Sequence, residues 1–559
     1  MQPKKILLVA LNAKYIHSNP AVYSLAAYAN RGLTEAAEKG ITETSEKLIS
    51  LIELTINDRY EDILSGILSR KAGIIGFSVY IWNADLMKRV MADIHAIAPE
   101  VILMAGGPEA SNDPETYLQW CQGVFLGEGE QNMRRIAGWV AAGEPIHWEE
   151  MEGVAFCGEA DESGRCQSAE DTSGSIIIHQ PGPTSVTSMD EIPFLYDELS
   201  PFENRIIYYE SSRGCPFRCS YCLSSIDKRV RYRSMEIVLR ELQFFLDKKV
   251  KQVKFIDRTF NSNWHRSLEI WQYLKDHDNG VTNFHFEIGA DLLKEEEIAL
   301  LQSLRPGLVQ LEIGIQSTCE KTMDMIHRTT DNQKLFENVK ALRKNYNINL
   351  HTDLIAGLPC EDYDRFKKSF DDIYPLDADQ LQLGFLKVLK GTDMYDHREE
   401  YGLIYSSYQP YEVFATKWLS YEENMHLHKV CDAVELFYNS QMFRHSLKAM
   451  LPSFAGPFAM FEALAEYLAN HHLAGIGLST KKKFEIMEDF GREHDLPTEY
   501  FTYLAFDQML HMHQSRRMSA VETFAFPDGT RTLRFDYTRM HPVTAEAYYE
   551  EIGKDLDSK

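Results

Sequence analysis

The chain has 559 residues, 44% of them hydrophobic, and 58 Lys+Arg against 83 Asp+Glu give a formal net charge of −25. At roughly 100–200 residues per domain this predicts about three or four domains, each with room for its own core. The composition excludes a disordered chain, and the acidic balance speaks against a long nucleic-acid interface, which needs basic residues against phosphates.

Short apolar runs at 5–11, 48–56, 74–79, 101–105 and 123–126 predict parallel strands, with amphipathic helical patterns such as 21–31, 60–70 and 84–97 among them. Five such βα units predict an α/β, doubly wound, Rossmann-like sheet over 1–143, with its ligand over the carboxyl ends of the strands. Those ends carry Asn12, Ser78, Gly106-Gly107-Pro108-Glu109 and Gly127-Glu128-Gly129-Glu130. Glycines there allow tight turns and close approach to a large flat ligand. Residues 144–203 are turn-rich, with Ser163-Gly164, Ser173-Gly174 and Pro181-Gly182-Pro183. Runs at 154–156 and 175–178 predict a small hairpin there, and Asp190-Glu191-Ile192-Pro193 reads as an interdomain linker.

From 204 to 393 the βα alternation returns. Strands predicted at 206–210, 253–257, 284–288, 309–315, 350–355 and 381–386 make a partial (β/α)6 barrel. Residues 394–559 read as a mainly helical domain ending in a β-hairpin, 522–526 and 531–536 around Pro527-Asp528-Gly529. His511 and His513 are expected to be structural, because that spacing on a helix points two rings to different faces. No run of about 18 apolar residues predicts a membrane span, and the N-terminus lacks a secretory pattern. The expected location is cytoplasmic, with reduced thiols.

Nine cysteines are too sparse and too odd in number for a disulfide scaffold, yet Cys215, Cys219 and Cys222 fall within eight residues, directly after the first barrel strand. Three thiolates on one short loop can hold three irons of a 4Fe–4S cluster and leave the fourth iron open. The alternative, zinc, would want a fourth protein ligand and paired CxxC spacings.

In that position Cys215-Pro-Phe-Arg-Cys219-Ser-Tyr-Cys222 resembles the radical S-adenosylmethionine superfamily. The resemblance implies that the open iron chelates S-adenosylmethionine and that reduction cleaves it to a 5′-deoxyadenosyl radical. It implies further that the backbone at Tyr221 meets the adenine and that Asp257 holds the methionine amino group, although Phe255-Ile-Asp257 departs from the commoner Gly-Gly-Glu form. Glu287, Gln316, Arg328 and Asp353 resemble the cofactor-lining set of the oxygen-independent coproporphyrinogen oxidase branch. Carboxylates and amides suit ribose hydroxyls and an ammonium group, and Arg suits a carboxylate. Any one of them alone can equally be a satisfied structural group. Lys390, ending the sixth strand, is either a substrate contact or a solvated loop lysine.

A doubly wound domain before such a barrel resembles the cobalamin-binding subgroup, on the strength of Gly106-Gly107-Pro108-Glu109, Gly127-Glu128-Gly129-Glu130 and the linker Asp190-Glu191-Ile192-Pro193. The resemblance covers residues 4 to about 393. It implies cobalamin over Asn12, Tyr15, Ser78, Tyr80, Gly106, Gly107, Gly127 and Glu128. The first loop lacks the Asp-x-His-x-x-Gly of the mutase and methionine synthase type, so His17 is not expected to ligate cobalt. An open lower face covered by Tyr15 and Tyr80 is expected instead. No GxGxxG follows the first strand and no P-loop lysine is present. The methylthiotransferase branch has three cluster cysteines in its N-terminal domain, whereas the first cysteine here is Cys121. The implied activity is cobalamin-dependent radical chemistry, most often methylation of an unactivated carbon or of phosphorus. The alternatives are a cyclase, ring-contracting or oxidative enzyme, and a non-catalytic cobalamin or redox sensor. The implied partners are a small-molecule or peptide substrate and an electron donor such as flavodoxin or ferredoxin.

Overall fold

The computed structural model describes residues 5–38, 48–158, 176–179, 188–511, 521–526, 531–540 and 547–552. Cys166, His513 and the turns at Ser163-Gly164, Ser173-Gly174, Pro181-Gly182-Pro183 and Pro527-Asp528-Gly529 lie outside the described residues. The chain forms two compact units. One comprises Met1–Arg258 with Lys387–Arg398 and Tyr405–Glu412, and the other Thr259–Leu386 with Glu399–Ile404 and Val413–Lys559.

The first unit is built on β1 (Ile6–Asn12), β2 (Ile49–Thr55), β3 (Ile74–Ser78), β4 (Ile102–Gly106), β5 (Gly123–Phe125), β6 (Val154–Cys157) and β7 (Ile176–His179). Their order is β2-β1-β3-β4-β5-β6-β7. The first five are parallel, and the order reverses between β1 and β3, the switch point where such sheets take ligands. β1 is buried along its whole length. Leu7, Val9 and Leu11 pack with Ile63 and Ile67 of α2 (Tyr60–Leu68) and with Met87 and Val90 of α3 (Ala84–Ile97). Ile6, Leu8 and Ala10 pack on the other face with Val22 and Ala26 of α1 (Pro20–Glu38) and Met133 and Ile136 of α4 (Glu130–Ala142). This two-sided burial is why β1 reads as a continuous apolar run, each large side chain contributing about 1.5–3 kcal/mol.

The hairpin expected as a separate linker element is β6 and β7. They pair antiparallel with each other and with β5, so the hairpin extends the first sheet. Val154 and Ala155 are fully buried, one in each of the two cores that flank the sheet, so β6 is packed on both faces. Beyond the linker, β8 (Ile207–Tyr209) and β11 (Gln252–Phe255) pair parallel, while β9 (Ser212–Arg213) and β10 (Arg231–Tyr232) form a short antiparallel bracket around the cysteine loop.

The second unit carries β12 (Asn283–Ile288), β13 (Val309–Gln316), β14 (Asn349–Ala356) and β15 (Gln380–Phe385), parallel and adjacent in that order. Helices α5 (Asn332–Arg343) and α6 (Tyr363–Ile373) return the chain. Along β13 burial alternates strictly, with Val309, Leu311, Ile313 and Ile315 buried and Gln310, Glu312, Gly314 and Gln316 half-buried. β13 therefore has an apolar face and a polar one.

The C-terminal region holds α7 (Tyr421–Ala433), α8 (Arg444–Met450), α9 (Pro457–Asn470), α10 (Thr480–Glu493) and α11 (Thr498–His511). Its strands β16 (Val521–Ala525), β17 (Thr532–Met540) and β18 (Ala547–Ile552) form an antiparallel sheet. The expected hairpin thus gains a third strand.

Candidate active site

The cysteine loop leaves β9 through Gly214, whose φ is +98. A Cβ there would stand 2.1 Å from the carbonyl oxygen of Arg229, so the turn admits only glycine. Cys215 and Cys219 are 9% and 7% exposed, Cys222 is half-buried, and all three are free thiols. The loop folds back on itself: the Cys215 amide donates to the Asp227 carbonyl (3.3 Å) and the Cys222 amide to that of Cys219 (3.1 Å). From the returning segment, the Met394 amide donates to the Ser220 carbonyl (2.8 Å). Among the described residues only His147, Glu149 and Glu150 bring three ligand atoms within 4.8 Å of one another. The three cysteines are not such a group, so they do not stand as a preformed compact zinc site. Cys157 is disulfide-bonded, so the expectation of reduced thiols does not hold for it.

Asp257 is 2% exposed. It accepts hydrogen bonds from the Ser211 amide (2.8 Å), the Ser211 hydroxyl (2.6 Å) and the Ser212 hydroxyl (2.6 Å). Burial raises its pKa, and the bonds from Ser211 and Ser212 oppose that shift. Both carboxylate oxygens are thereby committed to the residues that lead into Arg213 and the cysteine loop.

A cavity of about 1350 Å³ lies in this same unit, over the carboxyl ends of β3, β4 and β5. Ser78, Tyr80, Gly106, Gly107, Gly127 and Glu128 line it, as the sequence predicts for a ligand of the sheet. Its lining also includes Gly214 and Leu223, which flank the cysteine loop at either end, and Arg213, Arg231 and Lys390. A cavity larger than the roughly 300–1,000 Å³ of drug-sized sites, with a glycine-rich rim, fits a large flat cofactor.

Two predicted residues stand outside this wall. Asn12 is buried and donates to the His17 carbonyl (3.0 Å) and to Glu53 (2.9 Å), so it fixes the first loop. Tyr15 is 62% exposed, with the Arg205 guanidinium 4.7 Å from its ring centre. His17 is held by the Tyr208 hydroxyl at 2.6 Å, and burial lowers its pKa. Tyr80 does face the cavity, stacked at 4.4 Å on Trp82, which also lines it.

Glu128 belongs to an ionic cluster that residue-by-residue reading does not reveal. Arg213 reaches Glu130 (3.1 Å), Glu210 (2.7 Å) and Glu128 (3.4 Å), and Arg231 also pairs with Glu128. Burial alone would raise the Glu130 pKa, but Arg213 outweighs it and holds the carboxyl below the ordinary Glu value. The loop after β5 is thus clamped to both arms of the cysteine loop.

In the second unit β13 carries a bulge between Gly314 and Gln316. Gln316 takes a left-handed backbone (φ 72), and its Oε1 is buried without a hydrogen-bond partner. Arg328 donates to the Gly314 carbonyl. A Cβ on Gly314 would meet the Gln316 amide at 2.2 Å, so glycine makes room for that side chain. Asp353 stands in register with Gly314, and Glu287 with Glu312. The structure therefore brings Gln316, Arg328 and Asp353 to one end of the sheet. The same polar face holds His285, 2.9 Å from Glu312, and Gln310, 2.9 Å from His351. None of these four was singled out from the sequence, although the period-two alternation of β12 to β14 marks them.

Three family models match successive parts of the chain. The B12 binding domain matches residues 6–137, the radical SAM superfamily residues 209–373, and a family described as a protein of unknown function (DUF4080) residues 399–543. The chain thus joins a B12 binding domain to a radical SAM domain, the pairing found in cobalamin-binding radical S-adenosylmethionine enzymes. Its cofactors are accordingly a 4Fe–4S cluster, S-adenosylmethionine and cobalamin. An uncharacterized methyltransferase of Pyrococcus horikoshii is 23% identical over 58% of this chain and 68% of its own length. The cobalamin-dependent radical SAM methyltransferase TokK of Streptomyces tokunonensis is 22% identical over 52% of this chain. This chain spans only 43% of TokK. The structure of the cobalamin-dependent S-adenosylmethionine radical enzyme OxsB with aqua-cobalamin bound superposes with a TM-score of 0.59 at 16% identity, covering 90% of this chain and 80% of that one. The likeness to OxsB is one of fold. No helix among the described residues is long and apolar enough to cross a membrane.

Proposed function

We propose that the protein is a cobalamin-dependent radical S-adenosylmethionine methyltransferase that acts on an unactivated carbon, or a phosphorus, of a small-molecule or peptide substrate. The observation that carries the reading is the 1350 Å³ cavity, whose lining joins the glycine-rich ends of β3, β4 and β5 to the flanks of the cysteine loop. When bound, the cluster with S-adenosylmethionine supplies a carbon radical, and cobalamin supplies a methyl group.

The chain's own residues then have defined tasks. Cys215, Cys219 and Cys222 hold three irons. Arg213, Glu128, Glu130 and Arg231 fix the cysteine loop against the loop after β5, which sets the separation of the two cofactors. Asp257 buttresses that loop through Ser211 and Ser212, and the Tyr221 backbone would meet the adenine. Gln316 offers a buried carbonyl oxygen to a hydroxyl donor, and Arg328 a guanidinium to a carboxylate. Glu287 and Asp353 accept from ribose hydroxyls or an ammonium group. Tyr80 and Trp82, stacked in the cavity lining, would cover a face of the cobalamin and exclude water from it. Cluster reduction calls for a small electron carrier such as flavodoxin or ferredoxin, and the cytoplasm is the compartment that keeps the cluster thiols reduced.

The test is anaerobic reconstitution with iron, sulfide and cobalamin, followed by turnover of a candidate-substrate library with methyl-labelled S-adenosylmethionine. Label in a product together with 5′-deoxyadenosine is the expected outcome. 5′-Deoxyadenosine with an altered but unlabelled product would replace methyl transfer by cyclisation, ring contraction or oxidation. Absence of 5′-deoxyadenosine on reduction would remove the radical reading altogether.

A further inference from the structure

A second cavity, of about 740 Å³, lies in the second unit at the amino ends of β14 and β15, away from the strand ends that carry Gln316 and Asp353. Five cations line it: Lys340 and Arg343 on the last turn of α5, Lys344 just after it, and Arg444 and Lys448 on α8. In a chain of net charge −25 that concentration needs a cause. Part of it is local. Arg343 makes a bidentate pair with buried Asp379 (2.8 and 2.9 Å), and Asp377 accepts from Arg444 (3.0 Å) and Lys448 (3.3 Å). Cations at the end of α5 also suit its dipole.

Three features exceed that local account. Lys340 and Lys344 take no part in the ion pairs around Asp377 and Asp379. The Nε of Arg343, a residue only 6% exposed, makes no hydrogen bond and faces only the Asp377 carboxylate at 3.8 Å. Three non-glycine residues of the wall, Tyr346 (φ 49), Asp377 (φ 54) and Gln441 (φ 59), hold left-handed backbones, each costing about 1–2 kcal/mol. The Tyr346 ring is also flanked by the guanidiniums of Arg343 (4.4 Å) and Arg444 (5.0 Å), which fixes their planes at the cavity. Oriented guanidiniums beside unpaired ammonium groups are the chemistry that recognises phosphoryl oxygens.

We propose that this cavity is a binding site for a phosphorylated small molecule, separate from the cofactor cavity. Inorganic pyrophosphate is the probe, titrated calorimetrically into the full-length chain at low ionic strength beside citrate, a carboxylate of comparable charge. Saturable binding with one site per chain, tighter than citrate, is expected. Lys340→Glu/Lys344→Glu should weaken it at least about tenfold, since two contributing cations become anions. Both lysines are exposed, so the variant should stay folded, with a small loss of stability at the helix end. Equal affinity in the double variant, citrate binding as tightly as pyrophosphate, or no saturable binding at millimolar pyrophosphate would each overturn the proposal.

Discussion

Gly214 and Gly138 make opposite demands on a methyl group. Gly214 has φ +98 and the Arg229 carbonyl where a Cβ would go, whereas Gly138, inside α4, has nothing within 4 Å of that position. Gly214→Ala should cost at least about 2 kcal/mol, left-handed strain plus displacement of the Arg229 backbone, and should lower the iron bound on reconstitution. Gly138→Ala should stabilise by about 0.5–1 kcal/mol through helix propensity and leave iron loading unchanged. Urea unfolding and iron-to-protein ratios read both; an alanine at 214 that loads iron normally would show that the turn is not required. At this scale the sequence discloses what is local. The spacing of Cys215, Cys219 and Cys222 lies within eight residues and needs no fold to be seen. The fate of Asn12 depends on Glu53, 41 residues away, and Tyr15 is placed by Arg205, so neither could be assigned from its neighbours.

Among elements, the decisive joint is Glu130 at the start of α4. It accepts from Ser24 of α1 (3.0 Å) and Arg213 of β9 (3.1 Å), and it is buried. Breaking a buried pair from one side costs up to about 3–5 kcal/mol, but Arg213 keeps Glu210 and Glu128, so Glu130→Gln should cost about 2 kcal/mol at neutral pH. The native pKa of Glu130 lies below its unfolded value. Its contribution is therefore present at neutral pH and lost as pH falls through the native value. The stability gap between wild type and Glu130→Gln should accordingly shrink in acid, as unfolding curves at pH 7 and below pH of about 4 would show. A gap independent of pH would mean that the amide loses packing, not charge. The βα period made β1 to β5 and β12 to β15 readable to within a residue or two. The docking of β6 on β5 and the third strand β18 are pairings between distant segments, which periodicity does not report.

At the scale of the whole molecule, the matched families end at 137 and 373, yet the first unit is completed by residues 387–398 and 405–412. This returning segment ties itself to the cofactor cavity. Lys390 pairs with Asp113 (2.9 Å), Tyr411 donates to Glu109, and the Met394 amide donates to the Ser220 carbonyl inside the cysteine loop (2.8 Å). Lys390 lines the cavity, so the strap forms part of its wall. Lys390 is 43% exposed, and its pair is worth at most about 1 kcal/mol. The Tyr411–Glu109 bond, to a charged acceptor, adds about 1.5–3 kcal/mol. If this anchoring serves to keep the cavity closed, full-length Lys390→Met/Tyr411→Phe should lose cobalamin affinity by about tenfold or more. Iron loading should be retained, because the Met394–Ser220 backbone bond is untouched. Equilibrium cobalamin binding and iron content on the same anaerobic preparations separate the two effects. Loss of both cofactors together would mean that the strap stabilises the unit as a whole, and retention of both would reduce it to a surface connection.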